Sequence, residues 1–197
     1  MNSSFLSSRC FSYIATIVTA CMIVGCEPTA PREISSDESV DKQAAVSNSG
    51  RDLRVVDRVG YDAAIAEHRG KVVLIDFWAT WCLPCVEQFP HTLELAERFG
   101  KRGLAVITVS FDEPLELQHV TGFLNSHRTS GVTNLISRFG TSPRSMEAFE
   151  IPSGAVPYYK VYDRSGMLRH SFGIDPGAKE QFSLDDIDAA VEMLLAE

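Results

Sequence analysis

The chain has no block of lysine or arginine, no paired histidines at metal-ligand spacing, no internal repeat and no apolar run of the roughly 20 residues a membrane-crossing helix needs. Each absence excludes something. Without a basic cluster there is no electrostatic footprint for nucleic acid. Lys and Arg total 18 against 26 Asp and Glu, and the resulting net charge of -8 reads as solubility. A closed zinc site needs four ligands, and His68, His91, His119, His127 and His170 are scattered. Cysteine is scarce too. Cys10, Cys21 and Cys26 fall in the N-terminal apolar segment, which leaves Cys82 and Cys85 for everything downstream. A secreted domain stapled by disulfides spreads several pairs along its length. A single close pair means redox chemistry or half of a metal site.

The N-terminus reads as an address. Phe11 to Gly25 is almost wholly apolar and follows Arg9, the pattern of an export signal rather than of a spanning helix. It closes on Ile23-Val24-Gly25-Cys26, which resembles a bacterial lipobox with Cys26 as the lipidated residue. An uncleaved anchor and a plain export signal are the alternatives. Residues 27–52 are rich in Ser, Ala and acidic side chains and lack aromatics, so they cannot bury enough apolar surface to order themselves and read as a flexible linker. The expected organisation is therefore 1–26 export signal and lipobox, 27–52 linker and 53–197 folded domain. The protein is expected on the extracytoplasmic, periplasmic side of a bacterial membrane, held there by its N-terminal anchor.

Within the domain, Leu53 to Val56 is a short strand candidate and Tyr61 to His68 a helix. Lys71 to Trp78 and Leu104 to Ser110 are continuous apolar, β-branched runs, as strands buried on both faces read. Pro84 to Phe99 is helical, with Pro90 interrupting it. Asp112 to His127 predicts a helix, Val132 to Ile136 a strand and Pro143 to Phe149 a short helix. Pro157 to Tyr162 and Met167 to Phe172 flank a glycine-containing turn and predict a hairpin. Ser183, with Asp186 three residues on, opens a last helix. Strands alternating with helices, followed by a hairpin, give an α/β domain: a central mixed sheet with helices on both faces.

The chemistry concentrates at Trp81-Cys82-Leu83-Pro84-Cys85, directly after a buried strand and at the start of a helix. Unpaired N–H groups and the helix dipole put partial positive charge at a helix start. A thiolate there is stabilised, so its pKa falls below the ordinary ~8.5. Two intervening residues hold both sulfurs within one turn. Cys82 is assigned as the exposed nucleophile and Cys85 as the cysteine that resolves the mixed disulfide.

Asp76-Phe77-Trp78-Ala79-Thr80-Trp81-Cys82-Leu83-Pro84-Cys85 resembles the thioredoxin family almost letter for letter, over roughly Leu53 to Glu197. The N-terminal address and Glu87 to Pro90 resemble its exported, TlpA-like thiol–disulfide oxidoreductases. The resemblance implies a thioredoxin fold. It implies that Asp76 is a buried acid exchanging a proton with Cys85; the alternative is a strand-end aspartate open to water. It implies a cis bond at Val156-Pro157, which turns the preceding backbone toward the cysteines as a substrate contact; the alternative is an ordinary trans proline. Trp81 matches an aromatic that touches substrate, and its alternative is core packing. Glu87 reads as a solvated helix residue. Leu83 departs from the small residue common in thioredoxins, so a reduction potential does not carry over.

The expected activity is thiol–disulfide exchange with protein substrates, in the reducing direction and with no cofactor beyond the Cys82–Cys85 pair. A membrane partner would supply electrons, and no nucleic acid is involved. A thiol oxidase or isomerase is the alternative, followed by a thiolate metal-binding module, a non-catalytic interaction domain and a peroxidase.

Overall fold

The computed structural model describes residues 53–197. The expected signal, the lipobox cysteine Cys26 and the linker lie outside the described residues. The elements run β1 (Leu53–Val56), α1 (Arg58–Ala66), β2 (Val72–Trp78), α2 (Leu83–Phe99), β3 (Leu104–Ser110), α3 (Leu117–Ser126), β4 (Val132–Ser137), α4 (Pro143–Ala148), β5 (Tyr158–Tyr162), β6 (Leu168–Gly173) and α5 (Leu184–Ala196).

The six strands form one sheet in the order β1-β4-β3-β2-β5-β6. The first four are parallel to their neighbours, and β5 and β6 run antiparallel. β2 lies inside the sheet and all seven of its residues are buried, as are those of β3. Strand alternation sends Val73, Ile75 and Phe77 into one apolar cluster with Tyr61, Ala64 and Ile65 of α1. Val72 and Leu74 enter the other, with Leu95 and Phe99 of α2 and Ile187, Val191 and Leu194 of α5. Each such side chain contributes roughly 1.5–3 kcal/mol when fully buried. The expected α/β thioredoxin fold, a mixed sheet with helices on both faces, is what forms.

Three boundaries differ from expectation for identifiable reasons. α1 starts at Arg58 because Asp57 caps it, its carboxylate accepting the Gly60 N–H at 3.1 Å. α2 continues without a break across Pro90. The helix expected from Asp112 begins only at Leu117: Pro114 opens a separate 3₁₀ turn, and Asp112 is drawn inward to a buried polar cluster. The α5 capping box is complete, with Ser183 and Asp186 each accepting the other's backbone N–H.

Candidate active site

β2 delivers the chain at Trp78 to the edge of the sheet where parallel strands end, the position at which α/β sheets place their ligands. α2 then begins at Leu83, with Cys82 as its N-cap. Cys82 has extended backbone (φ -92°, ψ 98°), and its Sγ accepts the N–H of Cys85 at 3.3 Å. Pro84 sits in the first turn, where a missing N–H costs nothing. Cys82 and Cys85 are joined as a disulfide, their Cα atoms 5.3 Å apart. Reduction and ionisation would leave the Cys82 sulfur anionic against that same amide.

One correction follows. Cys82 is not broadly exposed but 6% accessible, against 1% for Cys85. It stays the more accessible of the pair, closed in by its partner sulfur and by the carbonyl oxygen of Val156, 3.7 Å from its Sγ. The Val156–Pro157 bond is cis, as the resemblance implied, and both residues are buried. Trp81 and Leu83 are 56% and 68% exposed, so the surface around the disulfide is apolar and Trp81 is not a core residue. Glu87 is exposed on α2. A groove of about 560 Å³, lined by Pro152, Ser153, Tyr158, Ser171, Ile174 and Asp175 among others, lies against the loop that leads to Val156.

Asp76 is buried at 1% exposure on the face of β2 that α2 covers. Thr92 Oγ1 donates to its Oδ2 at 2.7 Å, and Oδ1 has no partner. Burial pushes its pKa up from 3.8 to about 7, against the opposing hydrogen bond from Thr92. Its register partner on β5 is Tyr159, whose hydroxyl donates to Gln88 at 3.2 Å. Burial, then the neighbouring Asp76, hold that phenol well above its ordinary range.

Sequence reasoning missed four supports of this site, Thr92 and the three that follow. Asp112 fastens the passage into Cys82: its carboxylate accepts the Thr80 N–H at 3.0 Å, the Thr80 hydroxyl at 2.5 Å and the Ser110 hydroxyl at 2.6 Å. Lys160, on the opposite face of the sheet and 1% exposed, donates to the Phe149 carbonyl at 2.7 Å. Arg58 donates to the Ala148 carbonyl at 3.3 Å and pairs with Glu150 at 2.9 Å. Lys160 and Arg58 thereby hold the end of α4, from which the chain runs to Val156. A signal for Asp112 existed in its place directly after a buried strand. Thr92 gives none beyond being a polar residue in an apolar helical stripe. Among the described residues, no three His, Cys, Asp or Glu side chains gather as a metal site.

A disulfide at a helix start, a buried acid behind it and a cis-proline loop against it, all on a mixed sheet, define the thioredoxin-like class. The chain belongs to the AhpC/TSA family, whose model matches residues 46–180. It is 34% identical over 70 residues to the thiol-disulfide oxidoreductase ResA of Geobacillus kaustophilus, covering 36% of this chain and 40% of that protein. The ResA of Geobacillus thermodenitrificans matches with the same identity and coverage. The matched stretch thus spans about two fifths of these relatives' length. Among solved structures, a thiol:disulfide interchange protein of the thioredoxin family from Chlorobium tepidum is similar in fold, with a TM-score of 0.50 and 23% identity over 66% of this chain and 83% of that one. A DsbE-like interchange protein from the same organism has a TM-score of 0.51 at 21% identity, covering 66% and 84%.

Proposed function

We propose that this protein is an extracytoplasmic protein thiol–disulfide oxidoreductase working as a reductase. The observation that carries the reading is the Cys82 sulfur, which accepts the Cys85 amide in the first turn of α2 and is already bonded to the Cys85 sulfur. In the reduced protein the Cys82 thiolate attacks one sulfur of a substrate disulfide, forming a mixed disulfide and expelling the other sulfur as a thiolate that takes up a proton. Cys85 gives its proton to Asp76 and attacks Cys82. The substrate's second sulfur leaves as a thiolate and takes up the proton that Asp76 releases, which returns the acid to its ionised form, and Cys82–Cys85 ends oxidised. Two electrons pass from the cysteine pair to the substrate; of the two protons that complete its thiols, one comes from solvent, where Cys82 had lost its own, and one from Cys85 by way of Asp76.

A donor dithiol must then reset the pair, and a membrane electron-donor partner fits a chain anchored at Cys26. The name shared by the ResA relatives supports exchange with protein thiols and disulfides as the substrate class. The apolar surface at Trp81 and Leu83 and the Val156 carbonyl beside the sulfur supply contacts for an extended polypeptide. The N-terminal apolar run and Cys26 support the membrane location, and the domain boundaries 1–26, 27–52 and 53–197 go with it.

Insulin-disulfide reduction by the dithiol form, set beside peroxide consumption, tests the activity. Insulin turnover is expected, and peroxide consumption alone overturns the reading. The potential of the Cys82–Cys85 couple tests direction: a value near ~-270 mV marks a reductase and one near ~-120 mV an oxidase. Metabolic labelling with palmitate, lost in Cys26→Ser, tests the anchor.

A further inference from the structure

The buried face of α2 carries Cys85, Phe89, Thr92, Leu95 and Phe99. Thr92 is the one member of that stripe with a hydroxyl, and the hydroxyl donates to Oδ2 of Asp76 at 2.7 Å, with the Tyr159 phenol as its other polar neighbour. The threonine itself is 1% exposed. A residue that only filled space there would be valine or leucine, as its neighbours in the stripe are apolar. The other oxygen of the same carboxyl, Oδ1, is equally buried and has no partner. Buried polar atoms are paired in the great majority of native structures, so an orphan behind a redox site calls for an account.

We propose that Thr92 is a positioning residue for the exchange reaction: by donating to Oδ2 it leaves Oδ1 as the oxygen on which the carboxyl proton rides, and so fixes the direction in which Asp76 takes up and returns that proton. The inference rests on the oxidoreductase reading above. Its chemistry is one of protons only. A hydroxyl that donates to Oδ2 occupies one of that oxygen's two lone pairs and draws off part of its electron density, which makes the unpartnered Oδ1 the more basic oxygen, and it favours the ionised carboxyl over the neutral one. When Cys85 loses its proton, the acceptor is Oδ1. When the acid returns the proton, it leaves from Oδ1. Thr92 neither gains nor loses a proton in the cycle.

The surroundings leave one titratable neighbour, the Tyr159 phenol, which burial keeps neutral and which also touches Thr92. Asp76 faces Tyr159 of β5 and Thr108 of β3 as its register partners, and α2 presents the stripe that bears Cys85 and Thr92. α5, packed on the same face, adds Ile187, Val191 and Leu194. Burial and Thr92 are the influences that move the acid's titration, and no charged side chain adds to them. Lys160 lies on the opposite face of β5.

The test compares Thr92→Val, which keeps the shape and deletes the hydroxyl, with Thr92→Ser, which keeps the hydroxyl. The Asp76 carboxyl is titrated in the oxidised protein by carbon-13 NMR or infrared spectroscopy, a readout that needs no turnover. Thr92→Val is expected to raise the proton affinity of Asp76 about tenfold or more. The insulin-reduction pH profile should move with it, and Thr92→Ser should restore both. Placed on Asp76→Asn, Thr92→Val should change neither rate nor profile, because its action passes through the acid. An unmoved titration, a serine variant that behaves like valine, or an undiminished effect in the Asp76→Asn background overturns the inference. Wild-type protein that reduces no disulfide at any pH overturns the oxidoreductase reading itself, whereas active wild type with an unmoved Thr92→Val profile overturns only the role of Thr92.

Discussion

Thr80 donates both its backbone N–H and its hydroxyl to the carboxylate of Asp112, which also accepts the hydroxyl of Ser110. This one buried carboxylate ties the end of β3 to the passage that brings Cys82 to the start of α2. Asp112→Ala leaves three donors short of a partner, each costing about 1–3 kcal/mol when buried. A stability loss of at least about 2 kcal/mol is expected in urea unfolding. Asp112→Asn turns one acceptor into a donor facing donors and should be only partly better. Both should slow disulfide exchange more than they alter the reach of small thiols to Cys82, as measured by reduction with dithiothreitol.

Asp76 makes stability depend on pH. The unfolded chain releases this proton near pH 3.8, while the folded protein keeps it to about pH 7. Between those values the folded state binds more protons, so stability falls as pH rises. The full difference is on the order of 4 kcal/mol at ~1.36 kcal/mol per unit. Unfolding of wild type and Asp76→Asn compared from pH 4 to pH 8 should show the variant gaining on wild type until about pH 7 and level beyond it. Parallel curves would mean that Asp76 ionises freely in the fold.

The order of attack is open to direct trapping. Cys82→Ser is expected to abolish turnover. Cys85→Ser should leave Cys82 able to attack and unable to let go, so mixed disulfides with substrate accumulate. Non-reducing electrophoresis and mass spectrometry read both. Turnover retained by the Cys82 variant would reverse the assignment.

Lys160 carries the opposite sign. Burial lowers the pKa of this lysine from its usual 10.5. As pH climbs toward 10.5 the unfolded chain is the state that binds more protons, so the wild type gains stability. Lys160→Met has nothing to titrate there. Wild type should therefore gain on the variant between pH 7 and pH 10.5 in denaturant unfolding, and a constant difference would contradict the burial of a charged amine.

Much of this was legible in the chain. The strand before Cys82, the helix after it and the hairpin beyond Pro157 follow from runs of β-branched residues, proline placement and a glycine turn, all of which act over a few neighbouring residues. Cys82 and Cys85 stand out because they sit between such a strand and such a helix, whereas the roles of Asp76 and Pro157 came from the resemblance to the thioredoxin family. Thr92, Asp112 and Lys160 did not, since each acts on a group contributed by another element. A helix expected from Asp112 also hid that residue's role, because the inward turn of its carboxylate depends on Thr80, 32 residues away. The accessibility of Cys82 was overestimated for the same reason: the Val156 carbonyl that covers it arrives from 74 residues downstream.

The clamp at the end of α4 has a mechanical implication. Arg58 grips the Ala148 carbonyl from the first turn of α1, and Lys160 grips the Phe149 carbonyl from the middle of β5. Those oxygens belong to a helix terminus, whose carbonyls ordinarily turn to water. With both fastened to neighbouring elements, the end of α4 is tied into the scaffold seven residues before Val156. The carbonyl that faces the Cys82 sulfur therefore hangs from a short span whose upstream end is anchored to α1 and β5.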